Sequence, residues 1–317
     1  MTRIVPVLDL SRLEQGASER RTFLADLRSA ARDVGFFYLA GHGIAVTEID
    51  GTLLRIAGGR EAQDRHVPWL HPPGGELTRG RADWREQLDI GVERPAIAQR
   101  PGLAPWARLQ GPNQWPALYP DLKPALLSWQ AQVTAVAIRL LRAFALSLEQ
   151  PEDAFDAIHV GEPNHRMKIG VGAHKDGGFL TLLLQDQHEG LQVEYDERWV
   201  PVDPIPGTLV VNIGELLELA SNGYLRATVH RVVTPPAGVE RLSVPFFFGA
   251  RLDATIPLLD LPPHLSTEAR GPASDPENPL FRDVGTNVLK SRLRSHPDVA
   301  KRHYSDLIES GFAPVAA

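Results

Sequence analysis

A histidine and an aspartate, His174 and Asp176, lie two residues apart, just before the apolar stretch GGFLTLLLQD. Side chains two apart on an extended strand point to the same face, so this pair converges on one point while Lys175 points away. An imidazole and a carboxylate so placed are two of the three ligands in a facial site for a metal such as Fe(II). A second pair, His296 and Asp298, flanks a proline in a helical tail, and we interpret it as a chance occurrence.

A third ligand must come from a distant strand, and His230 in GYLRATVHRVVTPP lies at the start of one. Farther along the chain, Arg241 and Ser243 share a strand face by the same period of two. They present a guanidinium and a hydroxyl group to one carboxylate. Each feature alone is equally compatible with an ordinary structural residue. Their order within one β-rich region is far more specific than any single member.

The composition narrows the chemistry further. The chain has no cysteine, which excludes disulfides, thiolate nucleophiles, zinc-thiolate sites and iron–sulfur clusters, so a metal must be held by His, Asp or Glu. A net charge of −6 and the absence of a Lys/Arg run argue against nucleic-acid binding. The N-terminal MTRIVPVLDL is neither a secretory signal nor a spanning helix. We expect an intracellular, cytoplasmic protein without a membrane partner.

Helical and strand periods alternate along the chain and define the elements that position these residues. We predict a strand over 4–10, a helix over 19–34 that ends at Gly35, and a strand in GFFYLAGHGI. Residues 66–120, rich in proline and tryptophan, predict irregular chain, and the period of apolar residues predicts a long helix over 121–149. Residues 167–250 read as short strands separated by turns, typical of an antiparallel sandwich or barrel. A helical pattern returns near the C-terminus.

Four stretches make the chain similar to a known family: HKDGGFLTLLLQD, GLQVEYDERWVPVDPIPGTLVVNIGELLELASNG, HRVVTPPAG and RLSVPFFFG. They resemble the Fe(II)/2-oxoglutarate-dependent dioxygenases, in the branch that includes isopenicillin N synthase. VPVLDLSRL and ARDVGFFYLAGHGI resemble the N-terminal region of that branch. The resemblance therefore covers nearly the whole chain.

The resemblance implies a mainly β fold with flanking helices around a double-stranded β-helix, or jelly-roll, core. It implies one structural unit, with residues 1–120 as an N-terminal dioxygenase region packed on the core. Residues 121–317 then hold the long helix, the oxygenase core at about 167–250 and a C-terminal helical segment.

The resemblance also implies the cofactors and the roles of the site residues. His174, Asp176 and His230 would bind Fe(II), and Arg241 and Ser243 would bind the distal carboxylate of 2-oxoglutarate. With O2, such an enzyme oxidises a small molecule by hydroxylation, desaturation or cyclisation and releases succinate and CO2. Continuing the period of two puts Phe247 on the inward face, where it matches a substrate-contacting aromatic of the family or serves as plain core packing.

Two alternatives stay open at this stage, and the chain departs from the family at two places. An oxidase like isopenicillin N synthase would use iron without 2-oxoglutarate, and a non-catalytic jelly-roll binding protein would use neither. The stretch from Met167 to His174 lacks the tyrosine that often precedes the His-x-Asp motif and is about ten residues short by ordinary loop lengths. Residues 53–75 show a similar shortening. The substrate and the oligomeric state are not indicated.

Several other residues could suggest a function, but each has a simpler structural interpretation. His42, between two glycines, fits a structural turn, and His165 and His188 lie in turn-like sequence where solvation is expected. VVNIGELLELASNG lacks the pattern of a phosphate-binding loop. We therefore predict that Asn212 and Gly214 are strand-to-helix turn residues without a catalytic role.

Overall fold

The computed structural model describes residues 4–61, 77–78, 81–82, 88–98, 100–117, 119–159, 173–236, 238–272 and 279–310. Its strands are β1 Val7–Asp9, β2 Phe36–Ala40, β3 Leu77–Thr78, β4 Arg81–Ala82, β5 Leu180–Gln185, β6 Leu191–Tyr195, β7 Arg198–Pro201, β8 Leu209–Ile213, β9 His230–Val232 and β10 Ser243–Phe248. Its α-helices are α1 Ala17–Asp33, α2 Val46–Glu61, α3 Leu122–Ser147, α4 Asp156–His159, α5 Glu215–Ala220, α6 Pro263–Ser266, α7 Val284–Ser295, α8 Pro297–His303 and α9 Ser305–Glu309. Two 3-10 helices span Leu10–Glu14 and Pro105–Leu109.

Two sheets form the centre of the fold. The major sheet has the order β1-β2-β8-β5-β10, and the minor sheet has the order β7-β6-β9. Only the pair β1 and β2 is parallel, and the other pairs of both sheets are antiparallel. The predicted jelly-roll core with flanking helices is confirmed, and two strands from the N-terminal region complete its major sheet.

The major sheet is apolar on both faces, and each face belongs to a different core. Phe37, Leu182, Val211 and Phe246 lie on the outer face, in the core that also includes buried residues of α1 and α3. Phe36, Tyr38 and Val210 lie on the inner face, in a smaller core shared with the minor sheet. Because successive strand residues point to opposite faces, one alternating sequence supplies both cores.

Most of the predicted elements are confirmed with shifted boundaries. The helix predicted over 19–34 is α1, the helix predicted over 121–149 is α3, and the C-terminal helical pattern divides into α7, α8 and α9. Helix α2 is not indicated by the sequence pattern, because Gly51, Gly58 and Gly59 weaken its helical propensity. Among the described residues, no helix is long and apolar enough to span a membrane.

Candidate metal centre

Three side chains from two segments of the chain meet at one site. One potential ligand atom each from His174, Asp176 and His230 lies within 4.8 Å of the others. A backbone bridge joins the two histidines, since each peptide N–H donates to the other's carbonyl at 3.0 Å. Asp176 Oδ1 is 3.2 Å from His174 Nε2 and 3.7 Å from His230 Nε2. Two nitrogen donors and one oxygen donor in this arrangement fit a facial Fe(II) site.

Two hydrogen bonds fix the orientation of the Asp176 carboxylate. Its Oδ2 atom accepts from Thr181 Oγ1 at 2.5 Å and from Asn212 Nδ2 at 2.8 Å. The other oxygen, Oδ1, faces the two imidazoles. The side chain is only 3% exposed, so one carboxylate oxygen is held by the protein and the other is presented to a metal.

The His230 imidazole is held in one tautomer by its own strand. Its Nδ1 atom lies 3.2 Å from the carbonyl oxygen of Thr228, which can only accept a hydrogen bond. Nδ1 therefore carries the proton and Nε2 has the free lone pair that a metal requires. The ring of Phe36 packs edge-on against this imidazole at a centroid distance of 5.2 Å and limits its rotation.

The protonation states suit metal binding. Burial raises the pKa of Asp176, but the His230 and His174 imidazoles and the Thr181 hydroxyl group lower it more, so the net pKa lies below its ordinary value. Burial lowers the pKa of His230 to about 4. At neutral pH the aspartate is ionised and His230 is neutral, and these are the forms that coordinate metals.

Arg241 lies two residues before β10, and its guanidinium group is largely buried. Nη1 donates to Ser243 Oγ at 3.1 Å and Nη2 donates to Gln185 Oε1 at 2.7 Å. Its Nε atom is buried without a hydrogen-bond partner, and burial lowers the pKa of the group. Within the described residues, no carboxylate oxygen lies within 4.0 Å of this cation. A buried guanidinium without an anion fits the carboxylate of a cosubstrate.

Strand register connects the metal centre to Phe247. In the major sheet, Phe247 pairs with Thr181, Thr181 with Asn212, and Asn212 with Phe36. Directly paired residues of neighbouring strands share a face. Phe247 is therefore on the face that carries the two hydrogen-bond donors to Asp176, as the period of two predicts.

The structure corrects one interpretation of the sequence and adds a residue that the sequence analysis missed. Asn212 is a residue of β8, and its side chain donates to Asp176, so it is not a turn residue. Thr181 was not singled out, although it follows Asp176 by five residues in an apolar strand. The signal for both is a polar side chain on the inner face of an otherwise apolar strand. Gly214 does lie at the turn before α5.

Among the described residues, the other histidines lie outside the metal cluster. His42 is buried: Nδ1 accepts from the Ile44 peptide N–H, and Nε2 contacts the Gly207 carbonyl oxygen. His188 is about one-third exposed and pairs with Asp186 at 3.0 Å. His296 caps α7 and contacts Ser295. His165 and the short stretch from Met167 up to residue 172 lie outside the described residues, as does most of 53–75.

Fold and site together define a jelly-roll protein with a two-histidine, one-carboxylate metal centre, and the comparisons identify its family. Residues 151–250 match the model of the 2OG-Fe(II) oxygenase superfamily. Residues 5–57 match the model described as "non-haem dioxygenase in morphine synthesis N-terminal".

Similar proteins agree with these matches. A 2-oxoglutarate-dependent dioxygenase, frbJ, of Dothideomycetidae sp. is 31% identical over 94% of this chain and 91% of its own. A crystal structure of a 2OG-Fe(II) oxygenase family protein from Caulobacter crescentus aligns with a TM-score of 0.69 and 27% identity, over 92% of this chain and 99% of that chain. A Neurospora crassa protein in complex with alpha-KG aligns with a TM-score of 0.65 and 25% identity, over 84% and 91% of the two chains.

The chain belongs to the 2OG-Fe(II) oxygenase superfamily. It is an oxidoreductase, a dioxygenase that depends on Fe(II), 2-oxoglutarate and O2. The predicted family, enzyme class and cofactors are thereby confirmed.

Proposed function

We propose that His174, Asp176 and His230 bind the catalytic Fe(II) and that Arg241 and Ser243 bind the distal carboxylate of 2-oxoglutarate. The convergence of the three donor groups carries the first assignment. The buried guanidinium group without an anionic partner carries the second. Iron loaded with 2-oxoglutarate and O2 supplies the oxidising chemistry when bound, with release of succinate and CO2.

The protein's own contribution is orientation and exclusion of water. Thr181 and Asn212 hold one oxygen of Asp176, so that only the other oxygen is free for the metal. Gln185 holds Nη2 of Arg241, and Gln185 in turn donates to the Val202 carbonyl at 3.3 Å. Asp176 and Arg241 are thus each held by neighbouring side chains, which reduces the reorganisation needed when the cofactors bind.

We further propose a small-molecule substrate that is oxidised by hydroxylation, desaturation or cyclisation, with Phe247 in the wall of its pocket. The face of Phe247 in the major sheet supports this assignment. The Neurospora crassa protein has also been crystallised with alpha-KG and thymine, at a TM-score of 0.68 and 23% identity, over 90% of this chain and 97% of that chain.

We also propose that the chain folds as one structural unit. The hydrogen-bonded pairing of β2, from residues 1–120, with β8 of the oxygenase core supports this organisation. The cytoplasmic location stays a prediction of the sequence analysis.

The test is an anaerobic titration of metal-free protein, first with Fe(II) and then with 2-oxoglutarate, that follows the visible charge-transfer band of the chelated keto acid. The wild-type protein should develop the band. Arg241→Gln should bind Fe(II) normally but require at least about tenfold more 2-oxoglutarate, because charge-assisted hydrogen bonds are lost. Arg28→Gln is the matched control, since Arg28 donates to the Ser147 carbonyl outside this site.

The outcomes separate the proposed function from the alternatives. Iron binding without a band would favour an oxidase that needs no 2-oxoglutarate. No iron binding would favour a non-catalytic binding protein. If wild type and Arg241→Gln bind 2-oxoglutarate with equal affinity, as followed by the band, the cosubstrate role of Arg241 is refuted. Once the band is established, succinate release in the presence of candidate small molecules identifies the substrate.

A further inference from the structure

A cavity lies beside the loop that precedes β9. It has a volume of about 260 Å³, and its charged lining residues are Arg32, Lys175, Arg226, Arg270, Glu194 and Glu218. Lys175 separates the two metal ligands His174 and Asp176 in sequence, and its ammonium group contacts Glu218 at 3.3 Å. One lining residue, Lys175, is therefore adjacent in sequence to two metal ligands, but its side chain points away from them.

Some of these charges are already paired within the protein. Arg32 forms ion pairs with Asp33 at 2.8 Å and Glu268 at 2.6 Å. Lys175 is paired with Glu218, which also accepts from the Ala227 peptide N–H. These pairs leave Arg226, Arg270 and Glu194 as the remaining charged groups of the lining.

The remaining groups have an excess of positive charge and of unused donors. In the described parts of the chain, the guanidinium groups of Arg226 and Arg270 have neither a hydrogen-bond nor an ion-pair partner. Arg270 is exposed and Arg226 is partly buried, so an anion can reach both guanidinium groups from solvent. Two unpaired guanidinium groups beside one carboxylate favour an anion as the ligand of this cavity.

We propose that this cavity binds a small anion that carries a carboxylate or phosphate group. Guanidinium groups form charge-assisted and often bidentate hydrogen bonds with both kinds of oxyanion. The cavity volume of about 260 Å³ has room for a short carboxylate or a phosphate monoester.

The proposal is tested by calorimetric titration of the full chain with sulfate and, separately, with malonate. The protein is first saturated with Mn(II) and 2-oxoglutarate, so that the anion site at Arg241 is filled and the metal does not turn over. Wild-type protein should bind at least one of the two anions. Tighter binding of sulfate would indicate a phosphate-like ligand, and tighter binding of malonate would indicate a carboxylate.

Variants that should weaken or tighten anion binding show where the anion binds. Arg226→Gln and Arg270→Gln should each weaken binding about tenfold, because each removes a charged donor to the anion. Glu194→Gln should tighten binding, because it removes a like charge from the lining. Arg21→Gln removes an exposed arginine outside the cavity and should have no effect.

The absence of binding by both anions would overturn the proposal. Unchanged affinity in an Arg226→Gln/Arg270→Gln double variant would also overturn it, because the anion would then bind elsewhere. If the double variant does not fold, Glu194→Gln decides the question, since weaker or unchanged binding in that variant contradicts the assigned site.

Discussion

The hydrogen bonds to Asp176 Oδ2 make a sharp prediction about metal affinity. Thr181→Val removes one donor at nearly constant volume, and Asn212→Ala removes the other. In each variant the buried carboxylate keeps a single hydrogen bond to Oδ2. The carboxylate gains freedom to rotate, and its Oδ1 atom is no longer fixed between the two imidazoles.

The expected loss of Fe(II) affinity follows from a comparison of the metal-free and the metal-bound protein. A hydrogen bond to a charged group contributes about 1.5–3 kcal/mol, but Asp176 is ionised with and without metal, so much of that energy is lost from both states. The part specific to metal binding is the loss of orientation. Removal of such supporting residues typically weakens metal binding by about 10–100-fold, which corresponds to about 1.4–2.7 kcal/mol. We expect about tenfold for each single variant, and less than the product of the two for the double variant, because the residues share one partner.

The assay is an anaerobic Fe(II) titration of metal-free protein, with thermal unfolding to confirm that each variant is folded. Tyr38→Phe is the matched control, because it removes a 2.7 Å hydrogen bond to the Asp203 carbonyl on the same sheet face. Tyr38 lies outside the metal cluster, so its variant should bind Fe(II) like wild type. A folded Asn212→Ala protein with a dissociation constant within about twofold of wild type would refute the reasoning.

Three further predictions concern single residues. His174→Ala should lose at least about 100-fold in Fe(II) affinity and all turnover while staying folded; wild-type activity would reject His174 as a ligand. Gly214→Ala places a Cβ atom 2.1 Å from the Gly178 carbonyl oxygen and should cost about 2–3 kcal/mol in urea unfolding, whereas Gly111→Ala, with open space, should cost little. Burial lowers the pKa of His42, so the free energy of unfolding should decrease as pH falls below about 6.5. This decrease should be steeper in wild type than in His42→Asn, and equal slopes of the free energy of unfolding against pH would contradict the prediction.

One local rule is sufficient to predict that His174 and Asp176 share a face. The two-residue period puts His174 and Asp176 on one face whatever the rest of the fold does. The same rule places Phe247 on the inner face of β10. The position of His230 depends on a long-range bridge to His174, and only the order of the family's residues pointed to it.

Supporting contacts could not be predicted because they depend on register between strands. Asn212 lies two residues before Gly214 and looks like a turn residue in isolation, and only the pairing of β5 with β8 brings it beside Thr181. Gln185 contacts Arg241 through the register of β5 and β10, across 56 residues of sequence. Helical and strand periods identify faces, whereas register identifies partners.

Register also explains why the metal centre and the core of the fold cannot be changed independently. One row of paired residues, Phe36, Asn212, Thr181 and Phe247, crosses four strands and carries the ring against His230 together with both donors to Asp176. A slip of one residue in β5 would turn Thr181 to the opposite face and bring Leu180 or Leu182 beside Asp176. The outer core opposes this slip, because it would lose those two buried leucines. Packing on the outer face therefore stabilises the geometry of the metal ligands on the inner face.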